Sequence, residues 1–356
     1  MGDLTKAGVI KILPPSKMSD FLGDHNYLRT LQESNSKGQP DPSLAQLREV
    51  CSTYMVLPLA NGFQCPCTNT DQIKPAPGVE VPEDFEPKKF ECKMTERTFL
   101  LYGPQGTGKS LMLRAMAHEA RCIVFDISGY NVADRFPVKK SFQQMLVTTF
   151  AVAIQYQPSI IFIDEIEQYF PAKVKKPKKG ELPHPVIGRC SKFRKDLMTQ
   201  VKKHLRHTDR VMVVGMTNRP RYCNLKETDK FFRQKFYFPY PDYSARQTIF
   251  KHLVEKQGIK LTDSFKLSMF AHISEGVTPG SMNRAIKSVL TKRRKADIEL
   301  RPLTVQDFIV PLSENYTCSI EEYAIFNKFT QDVTGISAIL NARENPDPKA
   351  NKNKKK

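Results

Sequence analysis

Hydrophobic positions recur along the chain with two different spacings. From residue 98, short runs of consecutive apolar residues alternate with stretches in which an apolar residue returns every three or four positions. Such runs are typical of strands buried on both faces, and such stretches are typical of amphipathic helices. The predicted strands are residues 98–102, 122–127, 159–163, 211–215 and 236–238, and the predicted helices between them are 110–118, 142–155 and 190–204. This alternation predicts an α/β fold with a parallel five-stranded sheet sandwiched by helices.

The pattern is different on both sides of this unit. Beyond residue 242 the strand runs stop, and residues 244–256, 264–273, 281–295 and 305–310 predict a small helical lid domain. Before residue 97 the chain is rich in proline; only residues 43–56 have helical periodicity, and residues 61–93 predict a long loop. We therefore predict an N-terminal linker region (1–96), a large α/β domain (97–242), the helical lid (243–312) and a C-terminal extension (313–356).

The first predicted strand runs into a glycine-rich segment and then directly into a helix. Residues 103–110 match G-x-x-x-x-G-K-[ST], in which glycines let successive backbone N–H groups turn towards a phosphate. The predicted nucleotide contacts are Gly103, Pro104, Gln105, Gly106, Thr107, Gly108, Lys109, Ser110 and Leu111. Lys109 would reach the β- and γ-phosphates, and the Ser110 hydroxyl would hold Mg²⁺. The segment predicts binding of ATP or ADP with Mg²⁺.

Polar residues follow two further predicted strands. Asp164 and Glu165 come directly after residues 159–163, and Asn218 comes shortly after residues 211–215. The carboxyl ends of parallel strands face the ligand crevice, so we expect Asp164 in the Mg²⁺ shell, Glu165 as general base and Asn218 orienting the attacking water. The predicted catalytic residues are Lys109, Glu165 and Asn218. The alternatives are a helix N-cap pair for the two carboxylates and a turn residue for Asn218.

In this order and spacing, residues 103–110, 160–165, 213–220 and 238–242 resemble the module of the AAA ATPase family. The resemblance covers roughly residues 19–312 and implies an AAA-type sheet and lid with an ATP site at the residues named above. Residues 18–28, 42–44 and 57–59 are similar to the IQ-motif and AAA-domain branch, whose members belong to the nexin–dynein regulatory complex.

That branch implies a place in the cytoplasm and cytoskeleton, in the axoneme of a cilium or flagellum. It also implies other regulatory-complex subunits and the tubulin of doublet microtubules as partners. The chain shows no IQ motif, so we do not expect it to bind calmodulin.

Departures from the family pattern predict slow hydrolysis. Where remodelling members carry two arginine fingers, this chain has Thr228 and Phe231, with Arg233 two residues beyond. The nearest match to the substrate-gripping pore loop keeps its aromatic residue, Phe136, but lacks the glycine. In the lid we expect Arg284 to be an exposed helix residue and not a nucleotide sensor. An arginine finger is worth ~10³-fold or more in rate, so we expect a slow or vestigial ATPase with a regulatory or assembly role.

The net charge of +18 is concentrated in two segments. Residues 171–195 carry a net charge of +8 and residues 349–356 a net charge of +5, and both read as solvated basic loops. Solubility alone is one interpretation, and attraction to a polyanionic surface such as a microtubule is the other. We do not expect nucleic acid as a partner, because no reading module accompanies the charge.

Composition bears on the remaining classes of protein. The longest apolar stretches are far shorter than the ~18 residues of a spanning helix, so we expect no membrane partner. Eight cysteines are too sparse for a disulfide scaffold, and Cys65, Cys67 and Cys92 have the wrong spacing for a zinc site. The competing functions are a hexameric microtubule-severing or protein-remodelling motor and a nucleic-acid-dependent ATPase.

Overall fold

The centre of the molecule is a six-stranded sheet. The computed structural model describes residues 2–25, 41–60, 97–172, 190–205, 209–262, 265–315 and 317–335. The strands are β1 (Ile10–Lys11), β2 (Thr98–Tyr102), β3 (Ile123–Asp126), β4 (Ser159–Ile163), β5 (Val211–Thr217) and β6 (Gln234–Tyr237). Their order is β1-β3-β4-β5-β2-β6, and all neighbours are parallel except β1 and β3. The predicted α/β sheet is confirmed, and β1 extends it beyond the five predicted strands.

Both faces of this sheet are buried. In β2, Phe99 and Leu101 belong to one hydrophobic cluster, whereas Leu100 and Tyr102 belong to the cluster on the opposite face. Because successive side chains of a strand point to opposite faces, a strand covered on both sides must be apolar throughout. This double burial holds the strand ends, and therefore the residues that follow them, in a rigid frame.

Helices cover the two faces. The helices before the lid are α1 (Gly2–Lys6), α2 (Leu44–Cys51), α3 (Leu57–Leu59), α4 (Lys109–Glu119), α5 (Gly129–Val132), α6 (Lys139–Gln155), α7 (Arg194–His204) and α8 (Leu225–Phe231). A π-helical segment, Ser52–Val56, joins α2 to α3. The apolar residues of α2 and α4 pack on one face, and those of α6, α7 and α8 pack on the other. The sheet is therefore sandwiched as predicted.

The lid is a group of helices after the last strand. Its helices are α9 (Tyr243–Lys256), α10 (Leu267–Ile273), α11 (Pro279–Val289), α12 (Lys292–Ala296) and α13 (Ile309–Ser313). The pattern at 281–295 predicted one helix, but the structure has two, since α11 ends at the cap residue Leu290 and the Thr291 side chain caps α12. Four phenylalanines form the centre of the lid, with ring centroids 3.7–6.4 Å apart: Phe250, Phe265, Phe270 and Phe308.

Three terminal elements were not predicted: α1, β1 and the last helix. The strand β1 is only two residues long, too short to show any periodicity. Helix α14 (Ile320–Thr334) lies in the C-terminal extension and packs Phe326 and Phe329 into the sheet cluster that contains Tyr102. Within the described ranges, no helix combines the length and the apolar character needed to cross a membrane.

Several predictions from the sequence fall on residues that the structure does not describe. They are the loop at 61–93 with its three cysteines, most of the basic insert at 171–195, and the basic tail at 349–356.

Candidate nucleotide-binding site

The order of the strands brings the predicted site residues to one edge of the sheet. Strand β5 lies between β4 and β2, with Thr217 opposite Tyr102 and Gly215 opposite Ile163. The residues that follow these three strands therefore emerge side by side. Asn218 lies between the phosphate loop on one side and Asp164 on the other, as the sequence predicted.

The loop between β2 and α4 uses its glycines where no other residue fits. Gly103, Gly106 and Gly108 all have positive φ, at 151°, 85° and 99°. A Cβ atom on Gly103 would lie 2.3 Å from the carbonyl oxygen of Phe238, so the backbone packed beside the loop requires glycine there. The Thr107 hydroxyl donates to the Pro104 carbonyl at 3.0 Å and closes the turn. The loop is a preformed cradle at the start of a helix, the arrangement that binds phosphate.

Lys109 is folded into this cradle. Its Nζ donates to the carbonyl oxygens of Gly103 and Pro104 at 2.8 and 2.6 Å, and it lies 3.4 Å from the Thr107 hydroxyl. The side chain is only 5% exposed. Burial lowers the pKa of Lys109 to about 7, although the Asp164 carboxylate acts in the opposite direction. An ammonium group bonded to uncharged loop oxygens gains a charged partner when a phosphate binds, so the residues present fit a nucleotide.

The two predicted Mg²⁺ ligands follow strands that end at the same edge of the sheet, Ser110 after the loop that leaves β2 and Asp164 directly after β4. Ser110 is exposed at the start of α4, and its hydroxyl lies 4.0 Å from the Met216 sulfur on β5. Asp164 is half-buried, and its carboxylate accepts the Glu165 N–H at 2.9 Å. Burial raises the pKa of Asp164, while the hydrogen bond from that N–H opposes the shift. Hydroxyl and carboxylate oxygens are the donors that Mg²⁺ prefers, so this pair fits the ion.

The predicted general base has a strained backbone. Glu165 adopts the left-handed conformation, with φ at 49°, which costs a non-glycine residue on the order of 1 kcal/mol. Its carboxylate lies 3.4 Å from the Gln168 amide nitrogen, the donor of a long hydrogen bond. Asn218 is half-buried at the end of β5, Gln105 is exposed at the tip of the loop, and Leu111 is half-buried in α4. Glu165 and Asn218 therefore follow neighbouring strands at the same edge of the sheet.

The structure adds residues that sequence reasoning missed. Phe21 packs on Gly108, where a Cβ atom would lie 2.9 Å from its ring. The lid reaches the other side of the loop, since the Gly280 N–H donates to the Gly106 carbonyl at 2.9 Å and Thr278 borders Gly106. These contacts come from distant parts of the chain, so no local signal revealed them. The loop is enclosed by the N-terminal segment and the lid together.

A buried acid connects the turn after β4 to the end of β5. The Glu167 carboxylate is 2% exposed and accepts the Thr217 hydroxyl at 2.8 Å. Burial raises the pKa of Glu167 to about 6. The bond ties the turn after β4 to the residue just before Asn218. Because Glu167 stands beside Asp164 and Glu165 in the sequence, no local signal marked it as the buried acid.

The departures from the family pattern have structural counterparts. Thr228 and Phe231 are 1% and 6% exposed, so neither side chain extends towards another molecule. Arg233 is exposed, at the start of β6. Phe136 is half-buried against the core, in contrast with an aromatic residue exposed for gripping a substrate. Arg284 is exposed and donates to Asn315 and Ser281, both at 2.9 Å.

Residues 99–240 match the family model of the ATPase family associated with various cellular activities, AAA. The chain contains an AAA ATPase domain. A solved AAA domain of FIGL-1 in complex with ADP superposes with a TM-score of 0.50 at 22% identity, covering 66% of this chain and 78% of that one. At this identity the likeness shows the fold, and the AAA architecture predicted from the sequence is confirmed.

Curated proteins similar to this chain include a dynein regulatory complex protein and spastin. The mouse dynein regulatory complex protein 11 is 28% identical over 344 residues, which cover 95% of this chain and 36% of that protein. Human spastin is 28% identical over 254 residues, which cover 67% of this chain and 39% of spastin. The similarity to regulatory-complex subunit eleven is confirmed. This chain spans less than two fifths of the length of either relative.

Proposed function

We propose that this chain binds ATP or ADP with Mg²⁺, hydrolyses ATP slowly and acts as an assembly or regulatory subunit of the axonemal nexin–dynein regulatory complex. The observation that carries the proposal is a complete phosphate cradle combined with buried finger positions. Lys109, Ser110 and Asp164 supply the groups that hold Mg·ATP. Thr228 and Phe231 supply no cation for a neighbouring subunit's γ-phosphate.

Within this site each residue has a separate task. Ser110 and Asp164 would hold Mg²⁺, which would neutralise charge that develops on the phosphates. Lys109 leaves the loop carbonyls and pairs with the phosphate oxygens. Glu165 accepts the proton of the attacking water, and the Asn218 amide orients that water. Without an arginine finger, the developing charge is stabilised less, which makes turnover slow.

The proposed location and partners rest on similarity along nearly the whole chain. The likeness to dynein regulatory complex protein 11 covers 95% of this chain, beyond the AAA domain itself. We therefore place the protein in the cytoskeleton of a cilium or flagellum, with other regulatory-complex subunits and tubulin as partners. Its basic segments would face the acidic microtubule surface.

The alternative is a hexameric severing or remodelling motor, and the similarity to spastin favours it. The half-buried Phe136 and the buried Phe231 argue against it, because a threading ring needs an exposed gripping residue and a finger in trans.

Sedimentation with and without ATP separates the two proposals. We expect the intact chain to bind a fluorescent ATP analogue. We also expect it to sediment as the same small species, well below a hexamer, whether or not Mg·ATP is present. Hexamers that appear only with ATP, together with rapid turnover, would show the motor instead. Absence of any nucleotide binding would contradict both.

A further inference from the structure

A buried aspartate lies beside the hydrolytic edge without a place in the chemistry proposed above. Asp126 ends β3, the strand next to β4, and is 0% exposed. Its carboxylate accepts the Ser128 N–H and the Tyr130 hydroxyl, both at 2.9 Å, and also the Ser128 hydroxyl. The ammonium of Lys11 forms an ion pair with the same carboxylate. Four donors therefore converge on one buried carboxylate.

Ser128 connects this hydrogen-bond network to Asp164, the predicted Mg²⁺ ligand. The Ser128 hydroxyl accepts the backbone N–H of Asp164 at 2.8 Å, and Ser128 is itself 0% exposed. Because the hydroxyl hydrogen points to Asp126, a lone pair of the same oxygen is directed at Asp164. The bond holds the backbone just before Glu165, which is the residue with a left-handed conformation.

The N-terminal strand supplies the countercharge. β1 pairs with β3 through Ile10 opposite Phe125 and Lys11 opposite Val124, and the Asp126 N–H donates to the Val9 carbonyl at 2.6 Å. Burial tends to lower the pKa of Lys11, but its bonds to Asp126 and Tyr130 outweigh this and raise it, so Lys11 is charged. The charge of Asp126 is thus balanced by a residue far away in sequence.

We propose that Ser128 is a positioning residue of the hydrolytic site, and that Lys11 maintains this role by pairing with Asp126. The inference rests on the proposed function, since it concerns the same Asp164 and Glu165. Ser128 touches neither nucleotide nor metal. It sets the backbone from which the Mg²⁺ ligand and the base project, and β1 couples that setting to the docking of the N-terminal segment.

The test compares two buried serines whose hydrogen bonds lie at the two ends of β4: Ser128 accepts from Asp164, just after the strand, and Ser159 is its first residue. Ser128→Ala removes the hydrogen bond to Asp164. Ser159→Ala removes, at the start of β4, a hydrogen bond of similar length, 2.9 Å, to the Ala153 carbonyl. Ser159 is also 0% exposed, so both variants lose a buried hydroxyl. We expect Ser128→Ala to lower kcat by about 10- to 100-fold with little change in KM, and Ser159→Ala to leave kcat unchanged.

A second readout does not depend on turnover. Affinity for a fluorescent ATP analogue is measured with Mg²⁺ and with EDTA. Ser128→Ala should lose much of the gain that Mg²⁺ gives and keep the affinity measured in EDTA. If the wild type binds Mg·ATP without hydrolysing it, the proposal that the protein is an ATPase is wrong. The Mg²⁺ dependence of nucleotide affinity then tests the positioning role of Ser128 by itself. Equal behaviour of Ser128→Ala and Ser159→Ala in both readouts overturns the inference.

Lys11 is tested against a lysine of the same segment. Lys11→Met should lower kcat or the Mg²⁺ gain in the same direction as Ser128→Ala, and by less, because the Ser128 bonds remain. Lys6→Met is the control, since Lys6 is exposed in α1. Wild-type behaviour of Lys11→Met would show that β1 does not support the site.

Discussion

At the scale of the residue, we expect Lys109 to determine whether the loop binds nucleotide. It is the cation folded into the cradle, and charge-assisted hydrogen bonds are worth about 1.5–3 kcal/mol each. We expect Lys109→Ala to weaken ATP binding by about 100-fold or more, down to no measurable binding. A fluorescent-nucleotide titration measures the change, with Lys226→Ala, an exposed lysine of α8, as the control. Unchanged affinity would mean that the loop does not hold the phosphates.

We expect Glu165 to control the rate of hydrolysis and not the affinity for nucleotide. Replacing it with glutamine removes the proton acceptor and keeps the shape of the side chain. We expect Glu165→Gln to slow single-turnover hydrolysis by at least about 100-fold while nucleotide affinity stays the same. Glu49→Gln, at an exposed position of α2, is the matched control. Equal hydrolysis rates in wild type and Glu165→Gln would assign the base to another residue.

Glu167 makes stability depend on pH. Its pKa is about 6 in the folded protein, above the ordinary 4.5, so the folded state holds a proton that the unfolded state has released between these values. The free energy of unfolding therefore falls as pH rises through this window. Relative to Glu167→Gln, the wild type should gain about 1 kcal/mol when pH is lowered from 7 to 5.

Urea unfolding of both proteins at pH 7 and pH 5 measures this difference. Any effect of the glutamine side chain that does not depend on pH cancels when the two pH values are compared. Glu255→Gln, exposed on α9, should show no such pH-dependent difference from wild type. A constant difference between wild type and Glu167→Gln would mean that Glu167 titrates normally.

At the scale of the element, α14 is part of the domain core. The Phe329 ring meets Tyr102 edge-on with centroids 4.9 Å apart, and the Thr330 and Tyr102 hydroxyls are 3.0 Å apart. Tyr102 is the last residue of β2, immediately before Gly103. A helix from the end of the described chain therefore lies behind the phosphate loop and supports it.

Truncating Phe329 should destabilise the whole domain. Phe329 is 5% exposed, and a buried Phe→Ala change costs about 3–5 kcal/mol. Ile320→Ala lies on the same helix at 89% exposure and should change stability by less than about 0.5 kcal/mol. Denaturant unfolding followed by sheet and helix signals tests this. If Phe329→Ala melts α14 alone and leaves the main transition unchanged, the helix is an independent appendage.

At the scale of the whole molecule, we expect the basic segments to act independently of the nucleotide site. Residues 173–179 and 349–356 contain ten lysines between them and lie outside the described part of the chain. Exposed ion pairs are individually weak and screened by salt, so several must act together. We expect deletion of both segments to weaken co-sedimentation with microtubules at low salt and to leave ATP affinity intact.

A matched variant keeps the loop length and replaces the five lysines of residues 173–179 with serine. It should lose part of the same binding. Microtubule pelleting equal to that of the intact chain, at every salt concentration, would assign the charge to solubility or to another partner.

The local pattern of the sequence determined the strand and helix alternation, the phosphate loop and the placement of Asp164, Glu165 and Asn218. Each of these depends on neighbouring residues: an apolar run marks a doubly buried strand, and glycines mark a loop that must adopt positive φ. The sequence did not predict the strand order, which the structure shows to be β1-β3-β4-β5-β2-β6.

Only the tertiary structure decided what surrounds these residues. Lys11 reaches Asp126, Glu167 meets Thr217, and α14 packs on Tyr102 across more than 200 positions of sequence. Such partners leave no periodic signal, because their value lies in burial and charge pairing that exist only after distant segments meet. The local sequence thus determined which groups can do the chemistry, while long-range packing decided how firmly each is held.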